Sequence, residues 1–456
     1  MENRSFDHLL GYLDGVDGIS KGQSCPVDPN DPSKGTLPVL PNGYDVAPDD
    51  PIHDMTHIAV QINGGKMNGF LQSQVMANQT LTNPIAMFTK ESAPIINTLA
   101  AEYAVFDKWF CSLPGPTDPN RQFAMSGTSR GITTNFNGTL YEQQSYIDYL
   151  RQHGYSSGGY YQHDLWQLGA YQDLVHNPLN AKNIKELDKH FYDDLKNGKL
   201  PTFTWLQPSM STPVGSTGPT WQHPDASVTE GERFIKKIYE SIRASPKWEE
   251  TLFIITYDEH GGFYDHVYPP TGVPSPDGLK CVDCGTGYDF TTLGVRVPTI
   301  AISPWIKKGT IVSEGNGRPF ANSAYDSTSI MATVNELLDV QAPPLSQRMA
   351  WSSTFSHLIT DSSEMRHDCP TTLPDVPATP QEFAALQRQK PINDHMFASM
   401  LFFCGQNYPE EFKAGVLCPS ALPHALNQGT SSDWMSNEQE KFLRNQGARF
   451  ERESTK

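Results

Sequence analysis

TLFIITYDEHGG (residues 251–262) runs from an apolar stretch straight into a turn that holds two acids, a histidine and two glycines. Leu252–Thr256 is β-branched and aromatic, too short for a helix, and reads as a buried strand. RVPTIAISPWI (296–306) repeats the scheme, and PTFTWLQP (201–208) and FDKWF (106–110) read as further strands. Helical patterns lie between them. APIINTLAAEYAV (93–105) has helical apolar spacing, and SAYDSTSIMATVNELLDV (323–340) opens a helix with hydroxyl and acidic caps. Ser227-Val-Thr-Glu230 is a capping box ahead of GERFIKKIYESIRAS. Strands alternating with helices predict an α/β fold around a mostly parallel central sheet covered on both faces. Ligands of such sheets gather beyond the C-terminal strand ends, which directs attention to Asp258 and Glu259.

The 456 residues carry 34 Lys plus Arg against 51 Asp plus Glu, a net charge of −17. This balance excludes broad nucleic-acid binding, which needs a cationic face. No apolar run reaches the ~18–20 residues that span a bilayer, so a soluble chain is expected. Seven cysteines leave one over if the rest pair. Cys281 and Cys284 lack the second pair of a zinc site and read as a local disulfide or two thiols. Two glycosylation sequons, at Asn78 and Asn137, favour a secreted or extracytoplasmic location. Residues 20–55 read as one long Pro/Gly/Asp-rich loop. From 369 the texture changes to a strap and a charged helical tail, so 1–368 and 369–456 are the expected divisions.

Adjacent carboxylates at a strand end need a cation or a proton to neutralise them, and a hard divalent metal does so through oxygen ligands. In GPTDPNRQFAMSGTSRG (115–131), Thr117 lies between Pro116 and Pro119, which stiffens its backbone and aims its hydroxyl. A threonine hydroxyl is a poor nucleophile until it is activated, and metal coordination is one means. The chain also opens on an unusually loaded segment, MENRSFDHLLGYLDG (1–15).

Glu2-Asn3-Arg4-Ser5-Phe6-Asp7-His8, Thr117-Asp118-Pro119-Asn120-Arg121, Asp258 to Val267 and Gly294-Val295-Arg296-Val297-Pro298 together resemble the successive signature blocks of the phosphoesterase family. That family holds bacterial phospholipases C, related acid phosphatases and the plant nonspecific phospholipases C, and the wording is nearest the plant type. The resemblance runs from residue 1 to about 370. It implies an alkaline-phosphatase-like three-layer α/β/α sandwich that hydrolyses phosphoric esters with a divalent metal ion. Carried over by residue, it makes Glu2, Asp258 and Glu259 metal ligands, Asn3 a ligand of metal or substrate phosphate, and Thr117 the nucleophile. His53 and His223 would contact phosphate, with His57 competing for the place of His53, and His223 or His260 would protonate the leaving group. Asp7, Arg121, Asp265 and His266 would position these groups, as would Arg4, Ser5 and Asn120, while Arg296 would pair a carboxylate. The implied substrate is a phospholipid or another phosphoester, with transient membrane contact through 36–52 or YYQHDLWQLGAY (160–171) and with no protein partner.

Two departures from the family pattern stand out. Relatives carry an apolar strand before Glu-Asn where this chain has only Met1, so a late-started, unstable or inactive chain is an expectation. They also have histidine where Ser327 stands, with Asp326 the nearest substitute. The competing readings are an acid phosphatase acting on soluble monoesters and a phosphate-binding relative without turnover. Thr117-x-Pro119-x-Arg121 has the sulfatase spacing, but threonine cannot form the aldehyde which that chemistry needs.

Overall fold

The computed structural model describes residues 1–135, 139–315, 317–378, 382–408 and 427–454. The sequon at Asn137, residues 379–381 of the strap and Cys418 lie outside them. Residues 1–134 and 222–377 form one compact unit; 135–221 and 378–456 belong to a second.

In the first unit, Ser5 caps the short helix α1 (Phe6–Leu10), its hydroxyl accepting from His8 N. The predicted loop 20–55 holds a two-stranded antiparallel ribbon, β1 (Ser24–Pro26) with β2 (Thr36–Pro38), and one 3-10 turn between them at Pro32–Lys34. Two helices follow, α2 (Met55–Ile62) and α3 (Phe70–Ala77). The apolar stretch after Ala93 gives α4 (Pro94–Glu102) and then β3 (Ala104–Phe106). The helical expectation for 93–105 therefore ends early, because Ala104-Val105-Phe106 is buried and recruited into the sheet. β4 (Trp109–Phe110) leads to α5 (Thr117–Ser126).

In the second unit, β5 (Ser157–Tyr161) lies between β6 (Ile184–Glu186) and β7 (Phe203–Gln207), parallel to both. The stretch 160–171 is core here rather than a lipid-facing surface: Tyr160, Tyr161, Trp166 and Tyr171 are each at most 5% exposed. The tail forms the helix Gln428–Ser454, packed against Asp394–Asn407.

Returning to the first unit, Ser227 caps Val228–Arg243 through Glu230 N, as its capping box predicts. β8 (Phe253–Thr256) stops before Tyr257, β9 (Thr299–Ile302) follows, and β10 (Thr310–Val312) and β11 (Tyr325–Asp326) complete the strands. The four-stranded sheet runs β10-β3-β9-β8. β10 is parallel to β3, whereas β3–β9 and β9–β8 are antiparallel. Here the parallel expectation needs correction. A parallel return requires a crossover element, and 257–298 contains no helix, so the chain comes back alongside β8 in the opposite sense. Parallel pairing holds in β5–β6–β7 and in β4–β11. The structure is thus mixed α/β with open sheets, α4 packing on β3 and β9 and the helix Val228–Arg243 packing on α4. Trp109 stacks on Tyr325 at 5.8 Å, with Phe106 and Phe355 edge-on to them, and fixes β4 beside β11. Among the described residues no helix is long and apolar enough to cross a membrane.

α4 starts at Ala93-Pro94 without a side-chain cap of its own. Glu232 of the neighbouring helix supplies it, accepting from Ile95 N and from Ile96 N, the latter at 3.1 Å. Glu232→Ala strands two buried N–H groups and should lower the unfolding free energy by about 2 kcal/mol, read as an earlier urea midpoint; Glu232→Gln, which keeps one acceptor, should cost less. Equal midpoints for Glu232→Ala and wild type would remove Glu232 as the cap.

Candidate active site

Three chain segments meet beyond the end of β8. The first holds Glu2 and Asn3, tied down where Arg4 N donates to Glu259 O at 3.1 Å and Asn3 N to Asp258 Oδ1 at 3.1 Å. The second is the turn into α5. Asn120 clamps it, accepting from Leu113 N at 3.1 Å and donating to Gly115 O at 2.9 Å and Pro116 O at 3.1 Å. The third is Asp258–Gly262. Gly261 and Gly262 both have positive φ, and a Cβ on Gly261 would lie 2.4 Å from Asn3 O. The glycine pair is what lets the first and third segments touch.

Thr117, buried at the first position of α5, places its hydroxyl 2.8 Å from Glu2 Oε1 and 3.2 Å from Asn3 Oδ1. Both atoms accept, so one proton is shared between them. Arg121, one turn further along α5, donates from Nε to Asp258 Oδ2 at 2.8 Å and from Nη2 to Glu2 Oε2. It therefore joins two of the expected ligands directly, beyond its expected part in the threonine turn. The backbone of Asn3 is left-handed at φ 50°, an unfavourable state for a residue other than glycine and one that is common at functional sites.

The histidines separate by environment. His53 Nδ1 donates to Pro51 O at 2.7 Å, leaving Nε2 3.3 Å from Asn3 Nδ2 and 3.6 Å from Glu259 Oε1. Burial lowers its proton affinity, but Glu259 and Asp50 outweigh burial and raise it. His57 lies beyond Asp54, the cap of α2, and bonds only that cap, 3.0 Å away. Of the two, His53 is the one that adjoins Asn3 and Glu259. His223 is buried, with Nδ1 2.6 Å from Asp225 Oδ1 and Nε2 3.4 Å from Asp50 Oδ2. Burial acts to depress it, yet the two aspartates prevail and raise it to about 10. His260 points its Nε2 at Gln61 Oε1, 2.8 Å away, and burial followed by His53 holds it well below the usual imidazole range. It stays neutral, which is the wrong state for a proton donor.

The chemistry of the donor set suits a divalent cation. Glu2, Asp258, Glu259, Asn3 Oδ1 and Thr117 Oγ1 supply oxygen only, the preference of a hard ion. Glu259 Oε1 is buried without a hydrogen-bond donor, and burial raises the Glu259 carboxyl above its ordinary range. Three carboxylates against the Arg121 guanidinium and the His53 imidazole, whose proton affinity Glu259 raises, still leave one negative charge uncompensated, and the oxygen donors suit such an ion. Among the described residues, Asp7, Asp265 and His266 bring one ligand atom from each within 4.8 Å of the others. There Arg296 already donates to both acids at 2.9 Å. Burial opposes protonation of His266, but Asp7, 2.7 Å away, raises it to about 9. That cluster is self-neutralised and holds the backbone of the first and third segments together. Asp326 does not stand in for the histidine that Ser327 replaces. Its carboxylate is committed to Ser112, Thr328, Ser352 and Arg348.

The Phosphoesterase family model matches residues 1–341. The chain belongs to that family. As such it is a phosphoric ester hydrolase. It is 39% identical over 406 residues to non-specific phospholipase C6 of Arabidopsis thaliana, covering 85% of this chain and 76% of that protein. It is 29% identical over 406 residues to phospholipase C B of Mycobacterium tuberculosis, covering 77% and 73%. Among solved structures, an alkaline phosphatase superfamily protein from Vibrio parahaemolyticus overlaps 57% of this chain and 62% of its own, with a TM-score of 0.30 and 12% identity.

Asp50 and Asp225, the partners of His223, and Gln61, the partner of His260, were not singled out from the sequence. The one local signal was His223-Pro-Asp225, with the acid two residues from the base.

A histidine raised from 6.5 to about 10 binds more protons folded than unfolded between those values. Its stabilising contribution is therefore full below about pH 6.5 and lost as pH rises toward 10. The urea-midpoint gap between wild type and His223→Gln should narrow across that window, and a gap that widened with pH would contradict the ion pairs.

Proposed function

We propose that the chain is a phospholipase C that releases diacylglycerol and a phosphorylated head group through a phosphothreonine at Thr117. The observation that carries this reading is the buried Thr117 hydroxyl, 2.8 Å from Glu2 Oε1 and beside an all-oxygen donor set. Thr117 opens α5, whose positive dipole end favours a phosphoryl anion. Glu2, Asn3, Asp258 and Glu259 would hold a divalent metal ion, which when bound supplies positive charge that acidifies the threonine and polarises phosphoryl oxygens.

The chain's own groups account for the rest. Glu2 Oε1 accepts the Thr117 proton as Oγ1 bonds to phosphorus in line with the glycerol oxygen. His53 and Asn3 hold phosphoryl oxygens. The P–O(glycerol) bond breaks, and the departing alkoxide takes a proton from His223, whose neighbouring acids keep it charged near neutral pH. Water then attacks phosphorus and gives one proton to His223, the P–Oγ1 bond breaks, and Thr117 takes back its proton from Glu2 as the phosphorylated head group leaves. Transient lipid contact is assigned to loop 36–52, where Leu40 is 45% exposed.

Diacylglycerol release from phosphatidylcholine vesicles should exceed hydrolysis of p-nitrophenyl phosphate; cleavage of the monoester alone would replace this reading with the acid phosphatase one. Thr117→Ala should reduce turnover at least about a thousandfold with circular dichroism unchanged, and Thr117→Ser should recover part of it. Retention of more than a few per cent by Thr117→Ala would exclude the phosphothreonine. Chelation should abolish turnover and also lower the melting temperature by several degrees, on the order expected when a ligand of the folded state is removed, and a divalent salt should restore both.

A further inference from the structure

His223 is held by an acid at each ring nitrogen, and the two acids differ. Asp225 bonds Nδ1 at 2.6 Å with its side chain 21% exposed, whereas Asp50 stands 3.4 Å from Nε2 with its side chain 41% exposed. The longer, wetter pair is the weaker and more exchangeable one. Asp50 Oδ1 has no hydrogen-bond partner. The loop that carries Asp50 is nonetheless fixed: Gln79 Nε2 donates to Asp50 O at 2.6 Å, Asn83 Nδ2 donates to Asp49 O at 2.8 Å, and Ala47 N donates to Pro224 O at 2.8 Å. Asp50 and His223 both act electrostatically on His53, which adjoins Asn3 and Glu259, so the pair borders the phosphoryl site.

If His223 is to meet the reacting group, Nε2 must change partners, since Nδ1 is taken. We propose that Asp50 determines head-group preference: it yields His223 to the substrate phosphate and takes the ammonium of a zwitterionic head group in return. This rests on the phospholipase reading above. The exchange turns one ion pair into two, histidinium with phosphate and aspartate with ammonium. A head group without a cation leaves Asp50 unpaired beside the phosphate, and that like-charge contact discriminates against it. The favoured class is therefore choline- and ethanolamine-type phosphoesters over glycerol- or inositol-type ones.

Calorimetric titration of the full chain with phosphocholine and with glycerol 3-phosphate tests this without requiring turnover. Wild type should prefer phosphocholine. Asp50→Asn should reduce the affinity ratio about tenfold, and Asp50→Glu should keep most of it. Asp225→Asn, which loosens the ring and lowers its proton affinity without touching the head group, should weaken both ligands together. An unchanged ratio in Asp50→Asn, or equal weakening of both ligands, overturns the proposal and leaves the phospholipase reading standing. Wild type that bound neither compound would remove the phosphate site itself, and both readings with it.

Discussion

Arg296 is completely buried, and its guanidinium draws four separate stretches of chain to one point. It donates to Asp265 and Asp7 and to the carbonyls of Asp17 and Asp107, and lies 4.6 Å over the ring of Phe6. A buried cation left without partners costs several kcal/mol, so these segments cannot separate one at a time. Asp7 and Asp265 follow the two expected ligand pairs at close range in the chain. Neutralising Arg296 therefore also delivers Glu2-Asn3 to Asp258-Glu259. Scaffold and site are one electrostatic problem solved together.

Arg121 does the same closer to the chemistry, bridging Glu2 and Asp258 from the helix that presents Thr117. Because α5 supplies both hydroxyl and guanidinium, a tilt of the helix would move both together. The distance from the threonine to its acids is thereby set by a rigid element rather than by a loop, which favours geometry that is already in place before substrate arrives.

Much of this was legible in the residues, for identifiable reasons. β7, β8, β9 and the helix after Ser227 have local signals: β-branched runs of strand length and a capping box. The meeting of Glu2, Thr117 and Asp258 has none, and came from the order of four motif blocks. His53 and His57 looked alike because they are four residues apart; Asp54 separates them by capping α2, leaving His53 outside the helix and His57 inside its first turn. The antiparallel β8–β9 pairing and the strand state of 104–106 depend on what lies alongside in space. So do the neutral state of His260, set by burial and by His53, and the charge of His223, set partly by Asp50.

Asn3 and Asp258, whose hydrogen bond closes the site, are 255 residues apart. During synthesis the Glu2-Asn3 segment must therefore wait for its last counterpart to leave the ribosome, on the order of tens of seconds later at ordinary elongation rates. Catalytic competence is thus acquired late, and a chain interrupted short of that point carries the threonine helix with Glu2 and Asn3 but without the acids of 258–259.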